Sequence, residues 1–358
     1  MSGFPCVFFI LFRVSPPKFP EFGVFFPTAQ GLRSPPEYGM IKSKAKGGGA
    51  MRELHFTVPA EYDGLRGAAF LRGFCGLSYH TVRMLKQVER GVTANGALLR
   101  TIDRVHAGQQ VTVRLPDDAR PMQAPLCVPV PVAYEDADVL VFNKPPEMPI
   151  HPSHGHERDT LANAAAAYLA AKGEHCAFRP LNRLDRNTSG LAVTAKHTHA
   201  ASRLSGRIDK IYLAVTEGIP APKGTLDAPL RRREGCGIRR EIGAGGEPAV
   251  THWQVLAAGA GHALLRVVID TGRTHQIRAH FASTGFPLAG DDMYGGSQAR
   301  ISRQALHCAA VRFVQPVTGA PVELFAPLPD DMACLLAGCG MPVPAPETLR
   351  PFGAEWGF

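Results

Sequence analysis

Residues 179–190 contain the residue types best suited to chemistry, and Asp185 is the one acidic side chain among them. Two arginines, Arg183 and Arg186, flank it. The Thr-Ser-Gly sequence at 188–190 favours a tight loop, because hydroxyl groups bond to nearby backbone and glycine adopts conformations closed to other residues. A carboxylate on such a loop is either a catalytic group or a structural staple paired with its arginines. The loop alone favours the structural staple, because clustered charges usually satisfy one another.

An aromatic residue on a predicted strand is a second candidate. Alternation at 210–216 places Lys210 and Tyr212 on one strand face and an apolar set on the other. The apolar set predicts the core face, so Tyr212 is expected to point away from the core. It is either a platform on which a base stacks or a tyrosine that covers a secondary cluster. Spacing alone favours the second interpretation.

A further dense polar stretch lies at 271–281. Thr274 is expected to cap a helix over 274–284 in which Ile277 and Phe281 face the core. Arg278 then lies one turn above Thr274, near the start of this helix.

Three histidines at 151–156 follow Lys144 and two prolines. The histidines suggest a metal site, but no carboxylate or thiolate is spaced to complete one. We therefore expect no metal and a rigid loop beside an active site. Lys144 could be a phosphate contact or a surface lysine.

Composition indicates a basic, ordinary globular protein. The 358 residues are 45% hydrophobic and 20% charged, and the formal net charge of +8 favours a polyanionic partner. Eight cysteines without a C-x-x-C pair are typical of reduced thiols in a cytoplasmic protein. No apolar run is long enough to span a bilayer, and we expect no membrane association and a monomer.

Patterning divides the chain into five parts. Residues 1–50 lack a sustained period and are predicted to be an unstructured extension, with Met40 or Met51 as alternative start positions. Residues 51–116 form a small α/β domain whose segment 66–116 has eight basic and two acidic residues. A Pro-rich linker at 117–131, a larger domain at 132–338 and a tail at 339–358 follow.

Both domains combine short strands with single helices. This arrangement predicts the α+β class, with a mixed and mostly antiparallel sheet in the larger domain. Predicted helices are 67–72, 78–90, 160–172 (with Asp159 as cap), 197–206, 274–284 and 328–337. Predicted strands are 92–96, 105–115, 138–144, 190–196, 210–216, 252–257, 263–269, 311–315 and 322–326. In helix 78–90, Arg83, Lys86 and Arg90 recur at helical spacing and would present one basic face to RNA or to solvent.

Several of these motifs, in this order, resemble the RluA-type pseudouridine synthases. The matching segments are Asn143-Lys-Pro145, Arg183-Leu-Asp185, Lys210-Ile-Tyr212, Gly272 to Arg278, Gly290-Asp291 with Tyr294-Gly295, and Leu306-His307. The segment 66–116 resembles the alpha-L RNA-binding domain shared with ribosomal protein S-four. Asn182 departs from the family pattern, which commonly has His, and we expect an effect on loop packing more than on chemistry.

The resemblance implies isomerisation of uridine to pseudouridine in RNA, most plausibly in large-subunit ribosomal RNA, without metal or organic cofactor. Asp185 would act as nucleophile or general base, and Arg278 would hold it ionised through the guanidinium fork. Tyr212 would stack on the flipped base, and Arg183 would fill the space that the base leaves. The resemblance also implies RNA contacts at Lys144, Lys210, Arg273, Arg83, Lys86 and Arg90. The arginines at 231–233 and 239–240 would lie on a loop that grips phosphates or would simply be solvated.

Alternative functions remain open at this point. The chain could be a non-catalytic RNA-binding or ribosome-assembly protein, or its substrate could be transfer RNA. A hydrolase that cleaves a glycosidic bond would also flip a base, but it usually needs a second carboxylate to activate water. No paired acid lies near Asp185 in the sequence.

Overall fold

A computed structural model of the chain describes residues 52–115, 129–174 and 176–350. The predicted extension at 1–50, both alternative start positions, most of the predicted linker at 117–131 and residues 351–358 lie outside the described residues.

The N-terminal domain is a small sheet covered by two short helices. Its elements are β1 (Arg52–Thr57), α1 (Gly67–Gly73), α2 (Tyr79–Leu85), β2 (Val92–Ala94), β3 (Ala97–Leu98) and β4 (Gln110–Leu115). The strands are ordered β1-β4-β2-β3. Phe70 and Leu71 of α1 and Val111 of β4 are fully buried in one apolar cluster. The small α/β domain predicted from the pattern is therefore present.

Helix α2 is shorter than the predicted helix at 78–90. Ser78 caps it as expected, since its hydroxyl oxygen accepts from the Thr81 backbone N–H at 3.0 Å. The helix ends at Leu85, and Arg90 adopts a left-handed φ of 52° as the chain turns into β2. The single basic face predicted for Arg83, Lys86 and Arg90 is thus wrong, because Arg90 lies beyond the helix.

The larger domain contains the remaining elements. Its strands are β5 (Val132–Glu135), β6 (Val139–Lys144), β7 (Arg179–Pro180), β8 (Ser189–Ala195), β9 (Asp209–Glu217), β10 (Lys223–Asp227), β11 (Leu230–Arg232), β12 (Arg240–Ile242), β13 (Val250–Gly259), β14 (His262–Ile269), β15 (Leu306–Val314) and β16 (Pro321–Phe325). Its helices are α3 (Leu161–Ala171), α4 (Thr198–Leu204), α5 (Gln276–Ser283) and α6 (Asp330–Gly338).

Ten of these strands form one mixed sheet, which confirms the predicted α+β class. Its order is β10-β13-β14-β9-β15-β8-β6-β5, with β16 on β15 and β7 on β8. Among the described strands of this sheet, β15 and β8 run parallel and the other neighbouring pairs run antiparallel. The sheet places the end of β9, the start of β8 and the start of β15 side by side.

Apolar clusters cover both faces of this sheet. Helices α3 and α5 pack on the face that carries Tyr212, and α6 packs on the face that carries Ile211 and Leu213. Tyr212 is only 5% exposed and belongs to the larger cluster. The expectation that Tyr212 points away from the core is therefore wrong, because alternation cannot show that a strand is covered on both sides.

Two helix starts differ from the predictions. Thr160, not Asp159, caps α3, where Thr160 and Asn163 form a reciprocal capping box. Thr274 does not cap α5. The residue before α5 is His275, which has a left-handed φ of 56° and makes no side-chain cap.

The predicted boundary at 338/339 does not match the packing. Met341 and Leu349 are buried in the cluster that contains α6, and the Arg266 guanidinium donates to the Leu349 carbonyl at 2.8 Å. A tail that begins at 339 does not describe these residues, because they complete the core of the larger domain.

The two domains meet in a polar contact and an apolar one. The Arg52 guanidinium of β1 lies 2.7 Å from the buried Asp138 carboxylate of the larger domain. Val317, which follows β15, packs in the core cluster of the N-terminal domain.

Candidate active site

A small cavity of about 200 Å³ lies where β9, the loop before β8 and the start of α5 converge. Asp185 and Tyr212 both line it, together with Arg278. Three residues that the sequence separates by up to 93 positions are thus brought together, as the resemblance implied. The Asp185 side chain is 25% exposed, so it can be reached from the cavity.

Arg278 connects two carboxylates. Its Nη1 donates to Asp185 Oδ2 at 3.1 Å, while Nε and Nη2 donate to the two Asp291 oxygens at 2.7 and 2.8 Å. The fork predicted for Asp185 therefore binds Asp291, which is completely buried. Burial alone would lower the pKa of Arg278, but the hydrogen bonds and charge of Asp291, with Asp185, raise it above its usual range. The guanidinium is permanently charged and its orientation is fixed.

A histidine that lines the cavity and a second tyrosine behind it lie next to these groups, and sequence reasoning gave neither a role. His275 Nε2 lies 3.9 Å from Asp185 Oδ2, and its Nδ1 lies 3.1 Å from the Tyr294 hydroxyl. The Tyr294 ring also lies 5.0 Å from Arg278 Cζ. Burial lowers the pKa of His275, which favours a neutral ring at physiological pH. The motif Tyr294-Gly295 marked this tyrosine in the sequence, but it did not show that Tyr294 contacts His275 at the start of α5.

Tyr212 forms part of the cavity floor, beside Cys308 of β15. The two residues are directly opposite each other in the β9–β15 register. Burial raises the pKa of the Tyr212 phenol well above its ordinary value, and the neighbouring Cys308 and Asp185 act in the same direction. The Tyr212 phenol is therefore protonated at physiological pH.

Asn182, where the family commonly has His, holds the base of the Asp185 loop. Its side-chain amide donates to the Leu191 carbonyl at 3.0 Å, and its oxygen accepts from the Val193 N–H at 2.8 Å. The buried amide thus imitates a backbone peptide group and extends the pairing of β8 by one unit. The expectation of a packing role at this position agrees with these contacts.

Lys144 is not placed to contact RNA. It is completely buried, and its Nζ donates to the carbonyl oxygens of Pro145, Met148 and Arg186 at 2.8, 2.8 and 3.0 Å. Both predicted alternatives, a phosphate contact and a surface lysine, are wrong. The two prolines after β6 turn the chain so that its carbonyls surround the ammonium group, which spacing alone did not indicate.

The buried lysine predicts a specific pH dependence of stability. Burial, with a smaller contribution from Arg303, lowers the pKa of Lys144 to about 7. Between pH 7 and the usual lysine range the unfolded chain binds more protons at this site than the folded one, so this site increases the free energy of unfolding as pH rises. The free energy of unfolding of wild type minus that of Lys144→Met, measured by urea titration, is expected to become more positive from pH 7 to pH 9.5. The surface substitution Lys86→Met is the control. If the difference in free energy of unfolding from wild type changes with pH equally for both variants, the prediction is contradicted.

Three further residues expected to contact RNA lie around the cavity. Arg183 and Arg273 are exposed, and Lys210 is partly buried and donates to the Ile208 carbonyl at 3.0 Å. Arg273 also pairs with Glu247 at 2.6 Å. Arg183 and Arg273 are the exposed arginines that line the cavity, which gives its rim a positive charge.

The N-terminal domain exposes the other predicted RNA contacts. Arg83, Lys86 and Arg90 are all exposed. Tyr79, which sequence reasoning did not single out, is 70% exposed and lies one helical turn before Arg83. An exposed aromatic ring beside basic groups is a surface on which an unpaired base can stack.

The predicted arginine-rich loop is a β-hairpin formed by β11 and β12. Arg231 pairs with Glu241 across it, with 2.8 Å between the nitrogen and the carboxylate. The hairpin packs against α5, the helix that carries Arg278, and the Arg240 backbone N–H donates to the Tyr294 hydroxyl at 2.8 Å. Its charges therefore lie beside the site, and each alternative for them remains open.

Within the described ranges, no group of three or more His, Cys, Asp or Glu side chains is placed to hold a metal ion. None of the helices in those ranges is long and apolar enough to cross a membrane.

The larger domain is similar in sequence to known proteins. The family model for RNA pseudouridylate synthase matches residues 138–283, which contain Asp185, Tyr212 and Arg278. Human RNA Pseudouridylate Synthase Domain Containing 1, a solved structure, is 30% identical with a TM-score of 0.47, over 57% of this chain and 87% of that one.

Curated relatives match over most of their own length. Uncharacterized RNA pseudouridine synthase YhcT of Bacillus subtilis is 38% identical over 64% of this chain and 78% of the relative. Ribosomal large subunit pseudouridine synthase D of Pseudomonas aeruginosa is 35% identical over 69% of this chain and 83% of the relative. The chain therefore belongs to the RluA-type family of RNA pseudouridine synthases, which are isomerases acting on RNA.

Proposed function

We propose that this enzyme isomerises uridines in large-subunit ribosomal RNA, with Asp185 as the nucleophile or general base. The observation that carries the proposal is the small cavity in which Asp185 and Tyr212 meet beneath a rim of exposed arginines. The relative from Pseudomonas aeruginosa, named for synthesis in the large ribosomal subunit, supports the choice of RNA.

The reaction needs no second reactant. The N1–C1′ bond of uridine breaks, the base turns, and a C5–C1′ bond forms, while C5 loses a proton and N1 gains one. Atoms and electrons therefore balance within the nucleotide and solvent. Asp185 would either attack C1′ and leave again or accept a proton, and its side chain lines the cavity for either role.

The other cavity residues would orient these steps. Tyr212 would stack beneath the flipped base, and its phenol, protonated because burial raises its pKa, would donate a hydrogen bond to it. Arg278, 3.1 Å from Asp185, would keep a positive charge beside the carboxylate throughout turnover. Arg183 would occupy the gap that the base leaves in the RNA.

The second carboxylate near Asp185 argues against a hydrolase. Asp291 is fully buried and both of its oxygens accept from Arg278, so it cannot activate a water molecule at the cavity. A non-catalytic binding protein would not need an accessible carboxylate with a fixed cation behind it.

RNA docking would extend over both domains. Lys210 and Arg273 lie at the cavity, and Arg83, Lys86, Arg90 and Tyr79 lie on the exposed surface of the N-terminal domain. Basic groups would hold phosphates, and the exposed Tyr79 ring would take an unpaired base. We propose that the enzyme acts in the cytoplasm and as a monomer.

The test is tritium release from RNA labelled at uridine C5. Purified large-subunit ribosomal RNA from a deletion strain is expected to release tritium with the wild-type enzyme, whereas small-subunit and transfer RNA are not. Mapping of pseudouridine in the same deletion strain should locate a missing site in the large-subunit RNA. Release from transfer RNA alone would overturn the substrate assignment, and release of free uracil would indicate a hydrolase.

A further inference from the structure

Each of the four residues that follow Asp185 is held by a side chain from another part of the chain. Lys144 binds the Arg186 carbonyl at 3.0 Å, and Arg303 Nη1 binds the Asn187 carbonyl at 3.0 Å. The Gln304 amide donates to the Thr188 hydroxyl at 3.3 Å. Arg303 Nη2 lies 3.4 Å from the Ser189 hydroxyl oxygen, which also lies 2.9 Å from His307 Nδ1. The loop that carries Asp185 is therefore fixed from outside rather than by its own arginines.

Arg303 is the residue that makes several of these contacts at once. The Arg303 side chain is 4% exposed. Besides the Asn187 carbonyl, its guanidinium donates to the carbonyl oxygens of Gln304 and Leu306. A planar guanidinium can donate in several directions in one plane, which an amine cannot do with the same geometry.

Asp331 fixes the orientation of Arg303. The Arg303 Nε and Nη2 atoms lie 2.6 and 2.8 Å from the two Asp331 oxygens. Asp331 lies in the first turn of α6, and its side chain is 38% exposed. The buried residues Met332 and Leu335 of this helix pack on the sheet face opposite the cavity. A helix outside the active site is thus connected to the Asp185 loop by one ion pair.

We propose that Arg303 is a positioning residue for Asp185 and that Asp331 sets the orientation of Arg303. The two act on the position of the loop and do not touch substrate. The inference rests on the proposed role of Asp185, because a loop without a reacting group would not require such a fixed position. A displacement of about 1 Å in a catalytic group costs on the order of 10²-fold in rate.

The test compares two neighbouring carboxylates in α6. Asp331→Ala removes the partner of Arg303, whereas Asp330→Ala removes an exposed carboxylate from the same helical turn. Asp331→Ala is expected to lower kcat for pseudouridine formation roughly 10- to 100-fold, with KM and the Kd for RNA unchanged within about twofold. Asp330→Ala is expected to retain wild-type kcat, and Asp331→Glu, which keeps the carboxylate, should recover part of the loss.

A second measurement distinguishes a defect in folding from a defect in the position of the Asp185 loop. Urea unfolding and circular dichroism are recorded for each variant, and activity is measured well below its unfolding transition. If Asp331→Ala does not fold, Asp331→Asn, which retains the shape and one acceptor, takes its place. A folded variant with the kcat of Asp330→Ala overturns the proposal, as does a loss confined to KM. Failure of the proposed function is distinct, because it appears as unchanged activity in an Asp185 variant.

Discussion

Asp185→Asn is expected to lower tritium release from uridine-labelled RNA by at least about 10⁴-fold, which is the order of loss seen when an enzyme loses its nucleophile or its base. Asparagine keeps the size of the side chain and one oxygen for Arg278 Nη1, which lies 3.1 Å from Asp185 Oδ2. It removes the charge and the nucleophilic oxygen. The loss should therefore appear in kcat, and the Kd for RNA should change little, since contacts with the phosphates remain.

The control for this substitution is Asp292→Asn. Asp292 is exposed, lies next to Asp291 in the chain and makes its local contact with the Met293 backbone N–H at 2.9 Å. It should release tritium at the wild-type rate. If Asp185→Asn retained more than a tenth of wild-type kcat, the cavity carboxylate would not be the reacting group, and Asp185 would return to the role of a structural staple.

The resemblance to the family, carried by the order of the motifs, grouped Asp185, Tyr212 and Arg278 at one candidate site, whereas the local pattern around each residue did not. Asp185, Tyr212 and Arg278 stand on a loop, a strand and a helix, and each element was predictable from local patterning. The cavity lined by all three residues agrees with that prediction. Local patterns could not show which carboxylate accepts the paired hydrogen bonds from the Arg278 guanidinium. Asp291, which accepts them, is 13 residues further along the chain, and its burial depends on the folded core.

Burial also explains why the interpretations of Lys144 and Tyr212 failed. Lys144 has the residue type of a phosphate contact, yet its ammonium group is surrounded by three carbonyl oxygens that only the folded loops bring together. Tyr212 has the spacing of an outward-facing residue, yet α3 and α5 cover that face. In both cases the sequence shows the chemical group, while the exposure of the group is a property of tertiary packing.

Removing Arg278 is expected to lower stability through Asp291 and kcat through Asp185. In Arg278→Met, the fully buried Asp291 carboxylate loses both hydrogen bonds from Nε and Nη2, so the free energy of unfolding should fall by about 3–5 kcal/mol. Asp185 loses its neighbouring cation at the same time, and kcat should fall by at least about 10²-fold. Taken alone, this variant cannot tell an unstable fold from a defective site.

The double substitution Arg278→Met with Asp291→Leu makes that distinction. It replaces a buried ion pair by apolar side chains, which is often neutral or stabilising, so most of the lost free energy of unfolding should return. Activity should not return, because Asp185 still lacks the positive charge that lay 3.1 Å away. Urea titrations and tritium release measured on wild type, both single variants and the double variant complete the cycle. Recovery of kcat together with stability would mean that Arg278 serves only to neutralise Asp291. Stability without activity would mean that Arg278 acts on Asp185, with Asp291 present to hold the guanidinium in place.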